Sequence, residues 1–324
     1  MTLPKVSVIG AGQVGSTTAH LLALKGLADV TLIDVVDGLA QGKALDITQA
    51  SPIEGFGGRV QGTTDYAAMA DSRLVIVTAG LARKPGMSRD DLLAANAAIV
   101  GPIAERISRL APDAIVIVVT NPLDVMVALA IKRSGFPRQR VMGMAGVLDS
   151  ARLRAFIAQQ LGIASTEVET MVLGSHGDLM VPLKRFTQLK GKPIDTWLND
   201  AQIEDLFQRT KDAGAELVRL LKQGSAFYAP ASGVVEMAGA ILGDAHKILP
   251  ICAWLEGEYG LRDVCIGVPA QLGSRGIDRV IELELTVQER QALSASAEQV
   301  RIMIQQLVVL DAFRSNNAIM ENKP

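Results

Sequence analysis

Lys5 to Ile9, Leu74 to Thr78 and Ile115 to Thr120 are nearly unbroken aliphatic runs, each about the length of one strand. A strand of this kind has no polar face to turn to water. It must be covered on both sides, as in a parallel sheet with helices packed against either face. Further strands are expected at Asp29 to Ile33, Arg59 to Gly62 and Val141 to Gly143. Helical periodicity fills the intervals at Gly12 to Lys25, Gly38 to Ala50, Arg89 to Leu110 and Pro122 to Arg133. Strand and helix alternate throughout, so this half of the chain is expected to form an α/β, doubly wound parallel sheet. Its ligand crevice should lie outside the carboxyl ends of the strands.

The order changes near Asp149. A helix from Leu148 to Leu161 leads into strands near Val168 to Leu173 and Val181 to Phe186, with Lys190-Gly191-Lys192-Pro193 as a turn. Helices follow near Asp200 to Lys222 and Gly233 to Leu242, then several strands between Lys247 and Leu285, and a last helix from Val287 to Phe313. This reads as a C-terminal mixed α+β domain. A chain of 324 residues, 49% of them apolar, has material for two domains, expected at 1–148 and 149–324. No repeat, low-complexity stretch or Pro/Ser-rich linker separates them, so the halves should pack around one cleft.

Charge removes some function classes. Lys plus Arg is 32 against Asp plus Glu 34, which gives no electrostatic reason to expect nucleic acid or an acidic membrane surface. No apolar run approaches the ~18 residues of a membrane span, and the N-terminus starts almost at once on a strand rather than on a basic segment with an apolar core. Cys252 and Cys265 lie in apolar stretches without the paired spacing of a zinc or redox motif. Buried free thiols are expected, which fits a reducing, cytoplasmic setting. No His/Cys/carboxylate cluster has metal-site spacing.

Gly10-Ala11-Gly12-Gln13-Val14-Gly15 follows the first strand and opens the first helix. In that context the three glycines serve a tight turn, close approach of the backbone to a pyrophosphate, and close helix-strand packing, while the helix N-terminus offers free N–H groups. Asp34 ends the second strand, where a carboxylate can accept hydrogen bonds from adenosine ribose hydroxyls and would repel a 2′-phosphate. The bland reading of Asp34 is a strand-end turn residue.

The segment Leu81 to Arg89 leaves the fourth strand at the crevice. Pro85-Gly86 breaks regular structure, and Ser88-x-x-Asp91 reads as a capping box for the next helix. It is a candidate lid carrying Arg83 and Arg89, against the default of a solvated basic loop. Asn121, at the end of the fifth strand, either hydrogen-bonds a substrate oxygen or caps the helix after Pro122. Asp149 and Arg152 share one helical face. His176, one of three histidines, lies in Gly174-Ser175-His176-Gly177-Asp178, where it can take a proton from an alcohol and return it to a carbonyl. Such a base needs a carboxylate partner, so Asp149 is expected to orient His176 and Arg152 to bind a substrate carboxylate. His20 and His246 read as structural.

With these motifs together, the chain resembles the lactate/malate dehydrogenase family over essentially its whole length, and within it the malate-type members. The matches are Gly10-x-Gly12-x-x-Gly15, Asp34, the Arg83 to Arg89 loop, Asn121-Pro122-Leu123-Asp124, Leu148-Asp149-x-x-Arg152 and Gly174-Ser175-His176-Gly177-Asp178. The resemblance implies a Rossmann-type N-terminal domain and a C-terminal substrate domain. It also implies NAD as cofactor and malate or oxaloacetate as the dicarboxylic substrate. By the same resemblance His176 is the proton acceptor, Asp149 its partner, Arg152 the clamp on the C1 carboxylate and Arg89 the lid residue that polarises the carbonyl. Arg83 stands where malate enzymes have arginine and lactate enzymes glutamine, and Asn96, Val119, Thr120 and Asn121 match positions bordering the cofactor. Family members are dimers or tetramers, so a homotetramer or homodimer is expected. The rivals are a lactate or other 2-hydroxyacid dehydrogenase, and a catalytically silent nucleotide-binding protein on the same fold.

Overall fold

Val8 on β1 (Lys5–Ile9) lies between Leu32 of β2 (Asp29–Ile33) and Ile76 of β4 (Leu74–Val77), all running the same way. Continuing outward, β3 (Val60–Thr63) pairs with β2 on one side, while β5 (Ile115–Val118) and β6 (Val141–Gly143) follow β4 on the other. The parallel order is β3-β2-β1-β4-β5-β6, and every residue of β4 and β5 is buried, as their composition requires. A computed structural model describes residues 3–82 and 87–321, with side chains through Leu307. The connecting helices are α1 (Gln13–Leu24), α2 (Leu39–Glu54), α3 (Arg89–Leu110) and α4 (Leu123–Ser134). The order of strands reverses between β1 and β4, which places the crevice above their carboxyl ends.

The sheet does not stop at β6. After α5 (Gly146–Leu161) the chain makes β7 (Val168–Glu169), β8 (Val172–Gly174) and β9 (Met180–Pro182), then the hairpin β10 (Gln188–Leu189) and β11 (Lys192–Pro193). Two helices follow, α6 (Asp200–Leu221) and α7 (Tyr228–Leu242). The chain ends with β12 (Lys247–Glu256), β13 (Arg262–Gly273), β14 (Gly276–Val280) and α8 (Val287–Glu321). β12 joins the parallel sheet antiparallel to β6, with Cys252 opposite Gly143, and is followed by β13, β8 and β9. With β14, which pairs with β13 off this path, the result is one eleven-stranded sheet with a continuous apolar core. A smaller core, including Leu153, Ile157, Leu189 and Phe207, lies between α5, α6 and the little sheet β11-β10-β7.

Three local expectations change. The run Val168 to Leu173 is two strands in different sheets, β7 and β8, because the Thr170 hydroxyl and the Val172 N–H are both tied to Ser150 on α5. The strand expected to continue to Phe186 ends at Pro182, which has no N–H for a ladder, and gives way to a short 3-10 turn. α7 begins at Tyr228 rather than Gly233, since Pro230 falls in its first turn, where a missing N–H costs nothing.

Candidate active site

The glycine fingerprint occupies the turn from β1 into α1, as its spacing predicts. A Cβ at Gly15 would collide with the Gly10 carbonyl oxygen, so the helix can lie against the strand only with glycine there. Gly12, the residue before α1, is exposed, and a Cβ there would meet nothing; no side chain caps the helix and no acid stands in its first turn. The N–H groups of that turn, including those of Gln13 and Val14, have no capping side chain, a seat that fits the pyrophosphate of a dinucleotide. Asp34 accepts hydrogen bonds from the Ala11 N–H (2.6 Å) and the Val36 N–H (3.0 Å). The turn role expected of Asp34 is present: both oxygens of the carboxylate accept backbone N–H groups and brace the turn after β1.

On the other side of the switch point, Thr120 donates to the Ala79 carbonyl at 2.7 Å and the Val119 N–H donates to Val77, tying together the chain ends after β4 and β5. Asn96 does not present its amide to the crevice. It accepts from the Leu81 N–H (2.7 Å) and donates to the carbonyls of Leu81 (3.1 Å) and Asn121 (2.6 Å), so it sets the backbone of both loops. Asn121 is exposed and its side chain caps nothing; Pro122 is the residue that precedes α4, through a cis Asn121-Pro122 peptide. The capping box at Ser88 and Asp91 forms as expected. Arg89 pairs with Asp178 at 2.8 Å, both side chains exposed. Arg83, with Lys84, Pro85 and Gly86, lies outside the described residues.

The second half brings His176 against Asp149. Asp149 lies in the first turn of α5, buried, and Ser150 beside it fixes that helix to β8. Gly174 ends β8 with φ +87°, a conformation side chains with Cβ avoid, and turns the chain so that His176 leaves the sheet towards α5. Its Nδ1 lies 2.9 Å from Asp149 Oδ2. A carboxylate can only accept, so Nδ1 carries the proton of this bond and Nε2 is left with its lone pair. Burial, the largest influence on the imidazole, pushes its pKa down. The charge and hydrogen bond of Asp149, helped by Asp124 and opposed by Arg152, outweigh burial and leave it above the ordinary histidine value. The Arg152 side chain is 13% exposed, its Nη1 3.5 Å from Asp149 Oδ1. Its Nε is buried without a hydrogen-bond partner, which leaves donors for an incoming anion.

Two further groups hold the His176 segment. Ser175 donates its N–H to the Ser296 hydroxyl on α8 at 2.8 Å, and His176 donates its own N–H to Asp124 Oδ2 on α4 at 3.0 Å. Ser296 carries no sequence signal, being 121 residues distant from its partner. Asp124 did carry one, an acid set among Leu123, Val125, Met126 and Val127 in an otherwise apolar helix start. His20, on α1, and His246, hydrogen-bonded to Asp278, lie away from the cluster.

Asp34 governs a first prediction. With one carboxylate braced at the end of β2 and exposed, uncharged Val35 and Val36 directly after it, a 2′-phosphate would meet a negative charge. Asp34→Ser is expected to narrow the preference for NADH over NADPH by about tenfold or more, the scale of one removed charge repulsion. Comparison of kcat/KM for the two cofactors checks this, and an unchanged ratio would assign Asp34 to the turn alone.

Comparison with known proteins agrees with this arrangement. Residues 4–143 match the lactate/malate dehydrogenase NAD-binding domain, and residues 146–310 the lactate/malate dehydrogenase α/β C-terminal domain. A protein of Desulforudis audaxviator (strain MP104C) named malate dehydrogenase is 52% identical over 301 residues, 93% of this chain and 97% of that protein. The malate dehydrogenase structure from Salinibacter ruber superposes with a TM-score of 0.91 at 48% identity, covering 95% of this chain and 99% of that one. The Cryptosporidium parvum lactate dehydrogenase, solved with lactic acid and nicotinamide adenine dinucleotide, gives 0.91 at 39% identity over 100% of both chains. With both domains matched and half the residues shared, the chain belongs to the lactate/malate dehydrogenase family.

Proposed function

We propose that the chain catalyses the reversible oxidation of (S)-malate to oxaloacetate with NAD, the step of the tricarboxylic acid cycle. Residues 1–148 hold the dinucleotide, and residues 149–324 supply the base and the carboxylate clamp. The observation that carries the reading is the buried His176-Asp149-Arg152 cluster, with the 2.9 Å contact that fixes the imidazole. NAD held at the Gly10 to Gly15 turn would supply the hydride acceptor for C2 of the hydroxy acid, and its donor in the reverse direction. Arg152 grips the C1 carboxylate and so orients C2. Neutral His176 removes the hydroxyl proton at Nε2, and Asp149 stabilises the imidazolium that results. Asn121 and Arg89 hydrogen-bond the substrate oxygen as its charge develops. The exposed Arg89–Asp178 pair is worth only about 0–1 kcal/mol, so releasing Arg89 to the substrate costs little. The enzyme is read as a cytoplasmic homodimer or homotetramer, supported by two buried free thiols and by the exposed apolar residues Leu45 and Ile53 on α2. Among the described residues no helix is long and apolar enough to cross a membrane, and no group of side chains could hold a metal ion.

A lactate-type reading has one observation in its favour: the lactate dehydrogenase of Cryptosporidium parvum superposes as well as the malate enzyme of Salinibacter ruber. The cluster serves any 2-hydroxy acid, so the distal group decides. Arg83 is the residue assigned to the second carboxylate. Arg83→Gln is expected to lower kcat/KM for oxaloacetate by ~10²–10³ while pyruvate activity holds or rises, because only the dicarboxylate loses a charge-assisted partner. NADH absorbance with the two substrates reads the ratio directly. Pyruvate as the better substrate of the unaltered enzyme would overturn the malate assignment.

A further inference from the structure

Asp149 is employed in the mechanism, but a second buried carboxyl lies against the same histidine. Asp124, 4% exposed in the first turn of α4, accepts the His176 N–H with Oδ2 at 3.0 Å. Its Oδ1 is buried with no nitrogen or oxygen partner, and the Cys252 thiol from β12 lies beside it, itself in contact with Cys265 of β13. The neighbouring side chains on α4, Leu123, Val125, Met126 and Val127, are apolar and buried. A leucine would satisfy that packing, and a half-paired carboxyl in such a place opposes folding.

Two roles follow from the geometry. The bond to the His176 backbone holds the base loop to α4, the helix that starts just after Asn121. The charge acts on the ring. Among the described residues the charged groups acting on it are Asp149 and Arg152 from α5 and Asp124 from α4; the Cys252 thiol lies beside Asp124 and contacts Cys265. Asp149 and Arg152 cancel. An ionised Asp124 then makes the cluster neutral when His176 is protonated, whereas an uncharged side chain there would leave a buried net positive charge. Resting on the reading of His176 as the base, we propose that Asp124 is a positioning residue that fixes the His176 backbone and supplies the second negative charge favouring the protonated imidazole. Burial raises the Asp124 carboxyl to about 6, with Cys252, the His176 N–H and the imidazole lowering it and Asp149 raising it. It is therefore mostly ionised at neutral pH, where the charge is needed.

The test uses protein labelled at its three histidines, with His176→Asn to assign the His176 resonance, and follows the imidazole by NMR across pH without substrate. Asp124→Asn keeps an acceptor for the His176 N–H and removes the charge. The His176 midpoint is expected to fall by about one pH unit, the effect of one close opposite charge, with His20 and His246 unmoved. The alkaline limb of kcat/KM for oxaloacetate reduction should move down with it. A purely structural Asp124 would leave the midpoint in place, and an unmoved midpoint in folded Asp124→Asn overturns the proposal. Should that variant fail to fold, the carboxyl carbon of Asp124 itself serves. Its midpoint is expected to rise in His176→Asn, since coupling between two sites is reciprocal, and no rise overturns the proposal equally. Neither titration needs turnover, so failure of the malate reading and failure of this one are separately visible.

Discussion

His176→Asn is expected to bind NADH normally and to lose kcat by ~10²–10⁴-fold, the contribution of a positioned acid–base group. Asparagine approximates the ring's polar edge but cannot exchange a proton near neutrality, and the nucleotide seat at Gly10 to Gly15 belongs to other elements. The pH profile has a definite sign. Malate oxidation needs neutral His176 and is lost as pH falls through its pKa; oxaloacetate reduction needs the imidazolium and is lost as pH rises through it. Burial lowers the imidazole pKa most, but the charge and hydrogen bond of Asp149 together with the charge of Asp124 outweigh it, so both limbs should cross above the ordinary histidine value of about 6.5. Steady-state NADH absorbance in both directions, with NADH binding measured by fluorescence, checks the set. Turnover within a few-fold of normal would remove His176 from the chemistry, and a parallel loss of NADH binding would make it a structural residue.

Arg152→Gln should cost as much for a different reason. The guanidinium is 13% exposed, its Nε has no hydrogen-bond partner, and burial lowers its pKa against the raising charge of Asp149. An arginine held in this way is set to receive a carboxylate in two parallel bonds, and glutamine supplies neither the charge nor the fork. Leaving a substrate carboxylate buried without its partner is expected to cost about 3–5 kcal/mol, or roughly 150- to 5000-fold in kcat/KM for oxaloacetate. NADH binding should be unchanged. Arg152→Lys should recover the charge and little of the rate, because a point cation does not reproduce the planar fork. A KM for oxaloacetate that stays within twofold in Arg152→Gln would show that Arg152 serves only to pair with Asp149.

Much of this was legible because the signals are local. The sheet of β1 to β6 follows from aliphatic runs that leave a strand no polar face, and the seat at Gly10 to Gly15 follows from one turn and one helix start, which involve only neighbours in sequence. Asp149 and Arg152 were paired by helical periodicity. That Asn96 ties the Leu81 and Asn121 backbones together is visible only in the folded chain, because its partners are 15 and 25 residues away. Helix and strand ends moved wherever a proline or hydroxyl acted through position rather than type, as at Pro182, Pro230 and Thr170.

The sequence by itself determined the parallel sheet, the dinucleotide turn and the candidate proton-transfer residues, because each depends on residue type at short spacing. Only the tertiary structure decided what surrounds His176. Asp124, Asp149 and Ser296 reach the Ser175-His176 segment from three helices separated in the chain by 52, 27 and 121 residues. It also decided that the sheet runs unbroken from β6 into β12, through Cys252 opposite Gly143. Contacts of that range are set by how buried faces pack and by which polar groups must find partners away from water. Such requirements are met by the whole fold at once, and no stretch of the chain carries them alone.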